Sequence, residues 1–218
     1  MSSRLSFDKA LADLQQDILR MGSLVEKSIY DGVKSLATQD IILAGEVIEG
    51  DDVIDEQRFK IEDKIIKIIA TQQPMAKDLR ILVTGMRIAI SLERMADHSV
   101  DIARVTMCLA EEKLIKPLVS ITEMAKLAQQ MVKDGLDAYV HSDPEKARAM
   151  CKADDEVDHL YHQTYQHLVS YMKRDPATIV QATYLMFVAR YLERIADHAT
   201  NIGEYVIFQA TGEWKELN

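Results

Sequence analysis

Two acidic pairs at helical spacing stand out in this chain. Glu93 and Asp97 lie four apart in Leu92-Glu93-Arg94-Met95-Ala96-Asp97-His98, and the same pattern returns one hundred residues later as Leu192-Glu193-Arg194-Ile195-Ala196-Asp197-His198. In a run of helix formers, residues i and i+4 leave the same face one turn apart, so each pair can present two carboxylates to one cation. A second set of pairs, Asp51/Asp55 and Asp154/Asp158, repeats at an offset of 103. Counting 100° per residue, Leu79, Met86, Glu93 and Asp97 fall within about 40° of one another, which puts the acids in or beside the apolar stripe rather than opposite it. Carboxylates gathered between two helices repel by on the order of 4 kcal/mol per close pair at an effective dielectric near 20, so cations, arginines or protons must compensate. An all-oxygen set suits hard cations, iron or manganese rather than a thiolate-seeking metal. One site per half is expected, from Asp51, Asp55, Glu93 and Asp97, and from Asp154, Asp158, Glu193 and Asp197.

The competing reading is that Arg94 and Arg194, with Arg87, Arg104 and Arg190, pair with these acids as helix-surface salt bridges worth a few tenths of a kcal/mol each. The halves also differ. Asp101 follows Asp97 by one turn and can add a third carboxylate, where the second half has Asn201; Arg190 precedes Glu193 by one turn, where the first half has Ile90. Ligand charge tunes hard-cation affinity, so the first site is expected to bind more tightly. His98 and His198 follow the Asp by about 100°, away from the acidic pair, and read as polar or interface residues. His159, His162 and His167 have no counterparts in the first half, and His162, one turn after Asp158, is an outside candidate.

The elements that position these groups are helices. The 218 residues are 48% hydrophobic but only 6% aromatic, with eleven Met and few Gly or Pro, a profile of helical bundles rather than sheets. Apolar spacing predicts a first helix from Phe7 towards Leu36, broken at Thr38-Gln39-Asp40. Asp40 then caps a second helix, and Pro74 takes the first position of a third that fades by Glu111. The pattern restarts after Lys116-Pro117. Ser120 and Glu123 read as a capping box for a fourth helix, Asp143-Pro144 opens a fifth and Asp175-Pro176 a sixth. Asp31-Gly32, Asp40 and Ala44 recur as Asp134-Gly135, Asp143 and Ala147, so the duplication covers all three helices. The expected fold is all-α, a tandem repeat of two antiparallel three-helix bundles, residues 1–115 and 116–218.

Composition also excludes classes. A formal net charge of −9 with no basic stripe argues against nucleic acid. Cys108 and Cys151 lack metal-type spacing and read as reduced core thiols. No stretch approaches the roughly 18 apolar residues of a membrane span and the N-terminus lacks a signal-peptide core, so a cytosolic protein without membrane insertion is expected.

With these residues in place, the sequence resembles the PhoU family of bacterial phosphate-transport regulators along nearly its whole length. The marks are the duplicated three-helix bundle, the Glu-x-x-x-Asp motif on each third helix (Glu93/Asp97 and Glu193/Asp197), and Pro74-Met75-Ala76-Lys77-Asp78-Leu79-Arg80 at the start of the third helix. The second half reads Pro176-Ala177-Thr178-Ile179-Val180 there, so that element is single. The resemblance implies a cytosolic negative regulator acting between a phosphate ABC transporter, through its ATPase, and a sensor histidine kinase, usually as a homodimer or larger oligomer. It also implies divalent or ferric ions, iron in multinuclear form, at the acidic motifs. A ferritin-like di-iron enzyme would need Glu-x-x-His on two helices, and no acidic motif here has His at i+3. A purely structural helical scaffold would need no metal. No nucleophile–base pairing, phosphate loop or zinc signature suggests an enzyme.

Overall fold

The structure is a computed structural model that describes residues 2–115 and 118–217. Among these, every regular element is helical. The first bundle comprises α1 (Ser2–Thr38), α2 (Ile41–Gln72) and α3 (Ala76–Leu109); the second comprises α4 (Val119–His141), α5 (Pro144–Cys151), α6 (Asp154–Arg174) and α7 (Ile179–Thr211). Short connections make successive helices antiparallel, except α5 and α6, which are two pieces of one divided helix. The all-α duplicated bundle expected from the sequence is therefore what forms. The joint at Lys116-Pro117 lies outside the described residues.

Local chemistry explains most boundaries. The Asp40 carboxylate accepts from the backbone N–H groups of Ile42 and Leu43 at 3.0 Å and opens α2, satisfying donors that a helix start leaves unpaired. Asp143 does the same for α5 through Glu145 and Lys146. Gln39 and Ser142, at equivalent positions, both adopt positive φ. The Gln39 amide donates to the carbonyls of Leu109 and Glu112 beyond the far end of its bundle. In the second bundle the bond runs the other way, from Gln209 of α7 to the Ser142 hydroxyl at 2.7 Å.

Several expected starts move. Gln73 ends α2 in a left-handed conformation and Met75 is extended, so α3 begins at Ala76, two residues after Pro74. No capping box forms at Ser120: α4 begins at Val119, behind Leu118, whose side chain makes no cap. Asp175 caps a short 3₁₀ turn, Pro176–Thr178, before α7 starts at Ile179. The fifth helix is divided, with Lys152 and Ala153 in a turn. Met150 and Cys151 wedge there against Gly203 of α7, where an added Cβ would lie 2.5 Å from the Cys151 sulfur. Cys151 is buried, but Cys108 is exposed rather than a core thiol.

The bundles lie side by side through α3 against α7 and α1 against α4, and one apolar core runs through both. The central pair buries more than one stripe. In α3, Leu82, Leu92 and Met95 are buried beside Gly85, Ala89 and Ala96, and in α7 Leu185, Leu192 and Ile195 beside Ala189, Ala196 and Ala199. The small residues let backbones approach, while each large apolar side chain contributes about 1.5–3 kcal/mol by burial. Glu93, Asp97, Glu193 and Asp197 thus stand on the two helices held from most sides.

Gly32 and Gly135 mark equivalent close approaches with different neighbours. A Cβ on Gly32 would meet the Ser99 carbonyl oxygen at 3.1 Å, whereas one on Gly135 would meet side-chain ends, Ile202 Cγ2 at 3.2 Å and Met150 Cε at 3.4 Å. Side chains can yield; a packed helix backbone yields by separating α1 from α3. Gly32→Ala should therefore lose about 1 kcal/mol net, the overpacking cost exceeding the gain in helix propensity. Gly135→Ala should melt above Gly32→Ala in matched thermal scans, and the reverse order would refute this account.

Candidate functional site

In the first bundle, α2 carries Asp51 and Asp55 towards Glu93 and Asp97 of α3. Burial pushes the Asp51 carboxyl up to about 6, aided by the charges of Asp97, Asp55, Glu93 and Asp52. Burial and Asp97 likewise raise Glu93, against the pull of Arg94 and Arg58. In the second bundle Asp154 sits at the start of α6 and is pushed up to about 7 by burial, then by Asp197, Asp158, Glu193 and Asp155. Burial raises Glu193, with Asp197 adding to it, and burial raises Asp197 against its two arginines. The four acids of each half therefore feel one another across helices.

Arginines supply part of the compensation. Arg94 holds Asp97 at 3.0 Å and approaches Glu93 at 3.4 Å; Arg194 holds Asp197 at 2.8 Å, and Arg190 pairs with Glu193. These are salt bridges of the kind the competing reading requires. They leave the clusters under-compensated, because Asp51 Oδ1, Asp55 Oδ1, Asp154 Oδ1 and Glu193 Oε2 are buried with no hydrogen-bond partner. Glu193 is only 8% exposed. Buried polar atoms normally find partners, and an orphaned anionic oxygen calls for a cation. The donors fit a hard cation by type. Yet among the described residues no group of three or more His, Cys, Asp or Glu stands in a geometry that could hold a metal ion directly.

Asp101 goes elsewhere. It accepts from Arg104 at 3.2 Å and faces His98 Nδ1 at 3.9 Å, and it is not among the charges acting on Asp51. The first cluster does not lack the positive charge that Arg190 brings to the second: Arg58 of α2 reaches Glu93 at 3.8 Å and Glu62 at 2.8 Å. Sequence reasoning missed Arg58; only its i, i+4 relation to Glu62 was visible. Arg87 pairs with no acid of the clusters and instead lies over the rings of Trp214, at 4.4 Å, and Tyr205.

His98 and His198 meet between the bundles, stacked at 6.0 Å, with Tyr191 on the outer face of His98 at 5.7 Å. Burial lowers both imidazoles, His198 to about 4. Of the two readings open to them, polar or interface, they take the second. The exposed His162 turns its ring nitrogen to the Asp158 carbonyl of its own helix.

Fold and site define a class: a duplicated three-helix bundle with a cross-helix carboxylate cluster in each half. A family profile described as the PhoU domain matches residues 18–106 and 121–206. The chain is 42% identical over 217 residues to the phosphate-specific transport system accessory protein PhoU homolog of Clostridium acetobutylicum, covering 99% of both chains. It is 42% identical to the Caulobacter vibrioides homolog, over 95% of this chain and 91% of that one. The crystal structure of PhoU from Pseudomonas aeruginosa superposes with a TM-score of 0.90 at 35% identity, over 95% of this chain and 100% of that one. The corresponding structure of the phosphate transport system regulatory protein PhoU from Streptococcus pneumoniae gives 0.91 at 30%, over 97% and 100%. The chain belongs to the PhoU family, which is non-enzymatic.

Proposed function

We propose that this protein regulates phosphate uptake and the response to phosphate starvation, acting in the cytosol as a homodimeric, metal-binding adaptor between the ATPase of a phosphate ABC transporter and a sensor histidine kinase. The observation that carries the reading is the end-to-end match to a relative named an accessory protein of phosphate-specific transport. No helix among the described residues is long and apolar enough to cross a membrane, which suits contact with a transporter through its ATPase subunit. Hard cations, with iron the one the family resemblance indicates, would be held by Asp51, Asp55, Glu93 and Asp97, and by Asp154, Asp158, Glu193 and Asp197. Such an ion would neutralise repelling carboxylates and tie the second helix of each bundle to the third.

Deleting the gene should make phosphate-scavenging genes constitutive, and a pull-down from phosphate-replete cells should recover the transporter ATPase or the sensor kinase. Normal phosphate control in the deletion strain, with neither partner recovered, would sink the proposal. A metal-free scaffold is the second reading, favoured by the arginine pairs on Glu93, Asp97, Glu193 and Asp197. Undiminished stability in chelator would support it.

A further inference from the structure

The two clusters carry their guanidinium cations on different helices. In the first, Arg58 comes from α2, and the equivalent of Arg58 in the second repeat is Tyr161. In the second, Arg190 comes from α7, and its equivalent in the first repeat is Ile90. The bundles thus reach similar charge compensation by unrelated substitutions.

The two arginines differ in where else they can go. The Arg58 side chain is 20% exposed and stands between two acids: Nη1 donates to Glu62 Oε1 at 2.8 Å, while Nε faces Glu93 Oε1 at 3.8 Å and makes no hydrogen bond. Its guanidinium also lies over the Phe59 ring at 4.3 Å. Glu62 and Phe59 therefore retain Arg58 on α2 if Glu93 turns to another cation. Arg190 forms its ion pair with Glu193, and the other acid its charge acts on, Asp197, belongs to the same cluster. Glu193 is held by that pair through Oε1 while Oε2 is buried and unpartnered.

We propose that Arg58 and Arg190 are tethered counter-ions that a metal must displace, and that Glu62 is the parking position that makes displacement easier at the first cluster than at the second. This rests on the metal-binding reading above and deepens it. Metal and guanidinium compete for the same carboxylate, so binding at each cluster is an exchange of cations. The first cluster is the tighter one because Arg58 keeps an ion pair after leaving Glu93, whereas Arg190 gives up its acid to solvent. Asp101 has no part in that ranking.

The test is a titration with Mn²⁺ of chelator-treated full-length chain, followed by calorimetry, with Asp197→Ala as the background that isolates the first cluster. Arg58→Gln should tighten Mn²⁺ binding by about tenfold, the scale of one screened charge interaction at a partly exposed site. Glu62→Gln should weaken it by a few-fold, and Arg58→Lys should restore near-parental affinity. The decisive measurement is the double variant Arg58→Gln with Glu62→Gln. If Glu62 only parks the arginine, its substitution costs nothing once Arg58 is gone; if Glu62 were itself a ligand, the loss would persist. Unchanged or weaker binding in Arg58→Gln, or a persisting Glu62 effect, would overturn the exchange. A parent chain that takes up no Mn²⁺ at either cluster would instead overturn the metal reading, and the exchange with it.

Discussion

Replacing Asp97 and Asp197 together by Ala is expected to abolish most metal uptake by the purified chain. Asp97 exerts the largest single charge effect on Asp51, and Asp197 on Asp154, so each acts strongly across the helix gap on the α2 or α6 acid with which it would share an ion. Affinity at oxygen sites follows the number of charged ligands, and removing even a supporting group typically costs 10–100-fold. The loss of a ligand at both clusters should therefore exceed about a hundredfold. Metal content after chelation, reloading with Mn²⁺ or iron and desalting measures it. An unchanged content would mean that Arg94 and Arg194, at 3.0 and 2.8 Å from these carboxylates, are the partners the acids exist to meet. The variant would then change stability by no more than about 1 kcal/mol per pair.

Freed of metal, the chain should be more stable as Asp51→Asn/Asp154→Asn than with its native carboxylates, by a margin that grows from about pH 3.8 to about pH 7 and then levels off. Both acids are raised, from 3.8 to about 6 and about 7. A carboxyl whose folded pKa lies above its unfolded one favours the fold while protonated. That contribution is complete below about pH 3.8 and is lost as pH rises through 6 to 7. Asn mimics the neutral acid at every pH. The variant should thus match the parent only below about pH 3.8, gain on it as pH rises towards 6 to 7, and exceed it at pH 8 by about 2 kcal/mol after allowance for solvent screening of half-buried groups. In thermal scans that is about 4–8 °C. His98 and His198 act with the opposite sign, since their lowered folded pKa values cost stability as pH falls below 6.5; comparing variant with parent cancels them. Mn²⁺ should reverse the ranking at pH 8, because a metal stabilises the deprotonated ligands that repel in its absence. Parallel pH profiles for parent and variant would show that the clusters carry no net repulsion.

The helices and their duplication were readable from the chain because they rest on local physics. Apolar periodicity, the Asp40 and Asp143 caps, and the offsets of 103 and 100 need no knowledge of distant contacts. The pairing of Asp51 with Asp97, and of Asp154 with Asp197, was within reach because it follows from packing equivalent helices in each repeat. Boundaries set by a neighbour were not legible. The turn that divides the fifth helix arises where Met150 and Cys151 meet Gly203, fifty residues on, and the capping box at Ser120 had the right residues for a hydrogen bond that the start at Val119 removes.

The same division runs through the candidate site. Residue type led to the expectation that carboxylates at helical spacing face cations, and that any metal among them would be a hard one. Which cation reaches which acid was decided by tertiary structure. Helical angle allowed Asp101 to join Asp97, but its carboxylate accepts from Arg104 instead. Arg87 shares a helix with the acids, yet the ring of Trp214 takes its charge. Arg58 reaches Glu93 across an interhelical gap that no spacing rule encodes. A long charged side chain has several partners within its radius, and small differences in distance and burial choose among them; those differences exist only once the helices are packed.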